Sequence, residues 1–206
     1  MTLGPWLATA EERLAEAGIE SGRLEAQVLA GHILGVDRTW VLAHPEATLP
    51  EARAGALLAR RIRREPLAYI LGYREFYGRR FLVSPAVLIP RQETETLVEA
   101  AIALGSTPMA VLDLGTGSGI LAVTLKLERP AWDVTALDVS LTALMVAQQN
   151  AEALGADVRF CLSDAFAALG ERTFDLIVTN PPTTSSSPQP RRKQGKPSAT
   201  YGIPAR

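Results

Sequence analysis

At 206 residues, 47% hydrophobic and 21% charged with a formal net charge of −1, the chain has the balance of one ordinary soluble domain plus a small one. That charge excludes a general basic field for nucleic acid, and the single cysteine, Cys161, excludes an internal disulfide or a CxxC metal site. No apolar run reaches the roughly 18 residues of a membrane span, and no charged region precedes a long apolar stretch at the amino terminus, so a cytoplasmic protein without a signal peptide is expected.

Residues 2–64 read as three or four short helices forming a small bundle. Leu3, Trp6, Leu7 and Leu14 recur at spacings of three and four, with Gly18 as a stop. Ser21 is placed as an N-cap ahead of a stripe at Leu24, Val28, Leu29 and Ile33 that ends at Gly35. A further helix lies between Pro50 and Pro66, and its arginines 60, 61, 63 and 64 read as a solvated helix end. Residues 65–90 are expected to be a linker carrying a β-hairpin around Gly78, with Pro85 and Pro90 beyond it. Thr94 then opens a helix through Leu97, Val98, Ala101 and Ile102.

After Pro108 strands and helices alternate. "MAVLDLGTG" leads into "GILAVTLKLERP", "DVTALDVS" into "LTALMVAQQNAEALG", "DVRFCLSD" into a short helical "AFAALG", and "FDLIVTN" closes the series. Such alternation implies right-handed βαβ crossovers and a parallel sheet of four visible strands, an α/β fold.

Three places in this region carry chemistry. Gly115, Thr116, Gly117, Ser118 and Gly119 stand where the first parallel strand meets its helix, where glycines let backbone turn sharply and approach a ligand. A tight turn without a ligand is the alternative, and the GxGxG spacing differs from the dinucleotide fingerprint GxGxxG. Asp138 ends the second strand, either to accept ribose hydroxyls or to cap the next helix. Asp164 extends the same row and could meet an adenine amino group. Asn180, Pro181 and Pro182 follow the fourth strand. An Asn side-chain carbonyl and a prolyl main-chain carbonyl are two rigid acceptors for the N–H bonds of a planar –NH₂ group, unless the segment is only a proline-rich strand end.

With "REPLAYILGYREFYG", "LIPRQETETLVE", "VLDLGTGSGILAV", "ALDVS" and "FDLIVTNPP" in this order, the chain resembles the class I S-adenosylmethionine methyltransferases. Within them it resembles the HemK family, which methylates the glutamine N5 of peptide chain release factors. The resemblance covers about residues 1–182 and implies a Rossmann-like methyltransferase domain over 91–182 behind a release-factor-docking helical domain over 1–64. It implies S-adenosylmethionine as cofactor on residues 115–119 and Asp138, with Asp164 and Ala165 bordering the adenine. Asn180, Pro181, Pro182 and Thr183 would hold the substrate amide, Asn180 also facing the cofactor, in a monomer that needs no metal. Two departures stand out. The family carries Tyr where this chain has Thr183, and relatives continue with three further strands where 184–206 is rich in Ser, Pro, Gln, Lys and Arg. A disordered, out-of-frame tail over 183–206 is therefore expected. A nucleic-acid amino-methyltransferase and a non-catalytic binding protein are the alternatives.

Overall fold

The computed structural model describes residues 1–105 and 107–181. They divide into two compact units, one spanning Met1–Gly72 and the other beginning at Tyr73.

The first unit is helical: α1 (Leu3–Glu16), α2 (Gly22–Leu34), α3 (Arg38–Ala43), α4 (Glu51–Ile62) and α5 (Leu67–Leu71). Leu3, Trp6, Ala10 and Leu14 bury one stripe of α1 against Leu29 and Ile33 of α2, Leu58 of α4 and Ile70 of α5. Helix α5 was not expected, because five residues are too few for a visible period. It carries the unit's boundary past residue 64 to Gly72, whose φ of 81° ends the helix. Leu24 departs from its expected place on the stripe and is 44% exposed. Its neighbour Glu25 turns inward instead, onto Arg61 of α4. Ser21 does not cap the α2 backbone; its hydroxyl donates to Glu25 Oε1 at 2.9 Å. The arginine run is thus only partly solvated: Arg61 holds Glu25, Arg60 donates to Glu65 at 2.8 Å, and Arg63 and Arg64 are exposed.

The second unit opens with a hairpin, β1 (Tyr73–Phe76) and β2 (Arg79–Leu82), in which Phe76 pairs with Arg79. Tyr77 and Gly78 between them have φ of 49° and 71°, the mirror-image turn that matches strand twist. The strained Tyr77 is held by its N–H, which donates to Glu95 Oε1 at 2.9 Å. Glu95 begins α6 (Glu95–Ala103), and a 3₁₀ turn, Gln92–Thr94, precedes it. Thr94 makes no cap bond and is buried.

The remaining elements are β3 (Ala110–Leu114), α7 (Ile120–Glu128), β4 (Asp133–Asp138), α8 (Leu141–Leu154), β5 (Arg159–Leu162) and β6 (Leu176–Thr179). All four of these strands pair in parallel, in the order β5-β4-β3-β6. Because side chains alternate along a strand, Val111 faces one core with Val134, Ala136, Val178 and α7, while Leu112 faces another with Leu137 and Leu169. Residues 165–170 form turns, not the expected helix. The Ser163 hydroxyl donates to Ala165 O at 2.7 Å and accepts from Ala168 N at 3.0 Å, and Ala165 has a φ of 49°, outside helical space. Among the described residues no helix is long and apolar enough to cross a membrane.

Candidate active site

The order of the sheet puts β4 on one side of β3 and β6 on the other, so the segments after their carboxyl ends converge. After β3 the chain turns at Gly115, Gly117 and Gly119, with φ of 75°, 56° and 80°. The N–H groups of Gly115 and Thr116 donate to Leu137 O of β4 at 2.9 and 2.8 Å, which pins the loop to that strand. A methyl group added at Gly115 or Gly117 would meet nothing within 4 Å, so a ligand can approach the backbone there. At Gly119 it would lie 2.9 Å from the Ala147 side chain of α8. Gly119 serves packing; Gly115 and Gly117 face open space.

Asp113, inside β3, is 1% exposed. Its Oδ2 accepts from the Thr116 hydroxyl at 2.6 Å and from Ala122 N at 3.2 Å, bracing the loop against the start of α7. Burial pushes its carboxyl up to about 6, against the two hydrogen bonds that favour ionisation, and the neighbouring charge of Asp138 adds to the rise.

Asp138 ends β4 half-buried. One carboxylate oxygen accepts from Gly117 N and the other from Ser140 N, both at 2.9 Å. It is not the cap of α8; Ser140 is, accepting from Ala143 N at 3.2 Å. Each Asp138 oxygen keeps further accepting capacity.

At the end of β6, the Thr179 hydroxyl donates to Leu114 O at 2.8 Å and fixes the next residue beside the glycine loop. Asn180 Nδ2 donates to Thr94 Oγ1 at 2.9 Å. That bond uses a donor edge of the amide and leaves the carbonyl oxygen, an acceptor, on the other side. Asn180 lines one cleft with Gly115, Thr116, Gly117 and Ser118, and its lining also includes Leu88, Pro90 and Thr94.

Five of the expected residues therefore meet in one place, and Asp138 joins them through Gly117. Asp164 and Ala165 lie exposed after β5, two strands from β3, and do not line that cleft; Pro181 is exposed next to Asn180. Pro182 and Thr183 lie outside the described residues, as does the tail expected over 183–206. No group of three or more His, Cys, Asp or Glu able to hold a metal occurs among the described residues. Sequence reasoning missed Asp113, Thr94 and Asn150 as parts of the site's frame. A carboxylate within "VLDL" and an amide on the apolar stripe Ala143, Ala147 and Ala151 were the available signals.

A parallel sheet with a glycine turn after its central strand, an acidic residue ending one neighbour and Asn-Pro following the other defines a Rossmann-like methyltransferase domain. Comparison with known proteins is specific on both units. Residues 5–72 match the PrmC N-terminal domain and residues 93–191 the methyltransferase small domain. The release factor glutamine methyltransferase of Koribacter versatilis is 47% identical over 188 residues, covering 88% of this chain and 67% of that protein. That of Bordetella pertussis is 48% identical, covering 84% and 65%. The Escherichia coli protein of the same name is 41% identical, covering 92% and 69%. The chain spans about two thirds of the length of these relatives. It belongs to the release factor glutamine methyltransferase family.

Proposed function

We propose that this protein transfers a methyl group from S-adenosylmethionine to the side-chain amide nitrogen of a glutamine in a peptide chain release factor. The observation that carries the reading is the hydrogen bond from Asn180 Nδ2 to Thr94 Oγ1. It engages the amide nitrogen and leaves Asn180 Oδ1 to serve as an acceptor, and the main-chain carbonyl of Pro181 comes directly after it on a backbone whose φ is fixed by the ring. Two acceptors side by side suit the two N–H bonds of a primary amide. Gripping both hydrogens orients the nitrogen and draws its lone pair out of conjugation with the amide carbonyl, which raises its nucleophilicity.

The backbone of residues 115–119 and the Asp138 carboxylate are the groups we assign to the cofactor, Asp138 to its ribose hydroxyls and the open space at Gly115 and Gly117 to close approach of the ligand. Asp164 and Ala165 would border the adenine from the β5 side. When bound, S-adenosylmethionine supplies an electrophilic methyl group on a sulfonium centre. This chain's own contribution is positional: Asn180 and Pro181 hold the amide, Leu88 and Pro90 give the cleft part of an apolar lining, and no strong base is required of the protein. To the helical unit, Met1–Gly72, we assign docking of the release factor, with the enzyme acting as a monomer in the cytoplasm.

Transfer of a labelled methyl group to a release factor, and its loss when the acceptor glutamine is replaced by alanine, tests the reading. Asn180→Ala should leave binding of S-adenosylhomocysteine intact while abolishing transfer. Full turnover by that variant would place the amide grip elsewhere.

A further inference from the structure

Asn150 of α8 is 1% exposed although its side chain is an amide. Its Nδ2 donates to Ser118 O at 2.9 Å and to Leu82 O at 3.0 Å, and its Oδ1 accepts from Leu82 N at 2.6 Å. Both amide hydrogens and the carbonyl are engaged, so the group is buried without an unmet polar atom. Leu82 meets this side chain through both its N–H and its C=O, as it would meet a neighbouring strand. The third contact, Ser118 O, belongs to the glycine loop. One rigid side chain thus grips the last residue of the hairpin and the loop after β3 together.

The position of Leu82 matters because it leads into one wall of the cleft. The chain continues through buried Val83 and Val87 to Leu88, Ile89 and Pro90, which line the same cleft as residues 115–118. Two other fastenings of the hairpin, Tyr77 N–H on Glu95 and Arg79 on Glu128 at 2.7 Å, do not involve the loop. Helix α8 also has no slack against it, since a methyl group at Gly119 would overlap Ala147. A small displacement of the loop is therefore passed to Asn150, and from there to β2, since packed interiors resist continuous deformation.

We propose that Asn150 is a positioning residue that couples occupancy of the glycine loop to the placement of the segment 83–90 walling the cleft. A filled loop holds Asn150, Asn150 holds Leu82, and the wall beside Asn180 is set before the substrate amide arrives. This rests on the loop being the cofactor site proposed above.

The test is amide hydrogen exchange on the full chain with and without saturating S-adenosylhomocysteine, binding being followed separately by calorimetry. The reporter is the Val87 N–H, which donates to Ser84 O at 3.0 Å. Ligand should slow its exchange by about fivefold or more, the lower end of coupling between linked sites. In Asn150→Ala the ligand still binds at saturation, but the slowing at Val87 disappears. Leu82→Pro removes the N–H that Asn150 accepts, leaves Asn150 and the loop in place, and should lose the slowing too. This second variant decides the matter if Asn150→Ala does not fold. A purely structural role for Asn150 would lower the melting temperature and leave the ligand effect intact. Slowing that persists in a folded variant, or wild-type protein that binds ligand without slowing at Val87, overturns the coupling alone. Wild-type protein that binds no ligand overturns the cofactor reading and the coupling with it.

Discussion

The amide nitrogen of Asn180 donates to the buried hydroxyl of Thr94 across 86 positions of sequence, at 2.9 Å. Thr94 is 3% exposed, so water cannot easily replace it as a partner. Thr94→Val keeps the shape and removes the acceptor, leaving the Asn180 amide free to turn. Methyl transfer should fall about 10- to 100-fold, the scale of a small misplacement in a positioned site. Affinity for S-adenosylhomocysteine should stay unchanged, and Thr94→Ser should recover most of the rate. Single-turnover assays beside calorimetry check this; a Val variant with wild-type turnover would free Thr94 of the role.

Glycines 117 and 119 are expected to fail in different ways. Alanine at 119 combines a φ of 80° with a contact of 2.9 Å to Ala147, so stability should drop by about 2–4 kcal/mol. Alanine at 117 meets no neighbour and should cost only about 1–2 kcal/mol, yet its methyl group occupies the space proposed for the cofactor. Urea unfolding should therefore separate the two, and calorimetry should show lost ligand binding in Gly117→Ala while its fold persists.

The buried Asp113 sets a pH dependence of known sign. Its folded value, pushed up to about 6 by burial, lies above the ordinary 3.8 of the unfolded chain. Between those values the folded state binds the extra proton, so this carboxyl's contribution rises as pH falls and is lost as pH climbs through about 6. From pH 7 to pH 5 the gain is about 1.3 kcal/mol. Urea midpoints of wild type and Asp113→Asn at pH 5 and pH 7 isolate the effect, because the asparagine variant should lack that increment. An identical pH response in the two proteins would contradict it.

In the helical unit, Glu25 and Arg61 form an ion pair that is mostly shielded from water. Burial pushes the Glu25 carboxyl up, but hydrogen bonds from Arg61 and Ser21 and the Arg61 charge outweigh it and hold the group below its ordinary range. Arg61→Met strands a partly buried carboxylate and should cost about 2–3 kcal/mol. The double change Glu25→Leu with Arg61→Met should recover much of that loss, because replacing both members removes the uncompensated charge. Denaturant unfolding of the two variants and wild type at pH 7 measures this. A double variant no more stable than the single would point to packing in place of charge.

The alternation of strand and helix, the glycine turn and the Asn-Pro ending were legible because each rests on a local pattern: a period, a positive φ, a ring-locked backbone. What could not be read is what long-range contact decides. Glu25 displaces Leu24 from the buried stripe because Arg61 lies across from it on α4. Ser163 ties residues 165–168 into turns that composition alone would make helical. Thr94 looks like a cap until Asn180 is brought beside it, and Asn150, an amide on the apolar stripe of α8, has no visible partner until Leu82 and Ser118 close over it.

The grip of Asn150 on Leu82 also predicts an asymmetry in mutational tolerance. The amide reads only backbone atoms of Leu82, whose side chain points outward and is 44% exposed. In a saturation library scored for methyl transfer to a release factor, position 82 should accept most residues except proline. Position 150 should accept almost none, since no other uncharged side chain of that length offers two donors and one acceptor in a single plane. The pair would then look uncorrelated in any table of substitutions, although each holds the other in place.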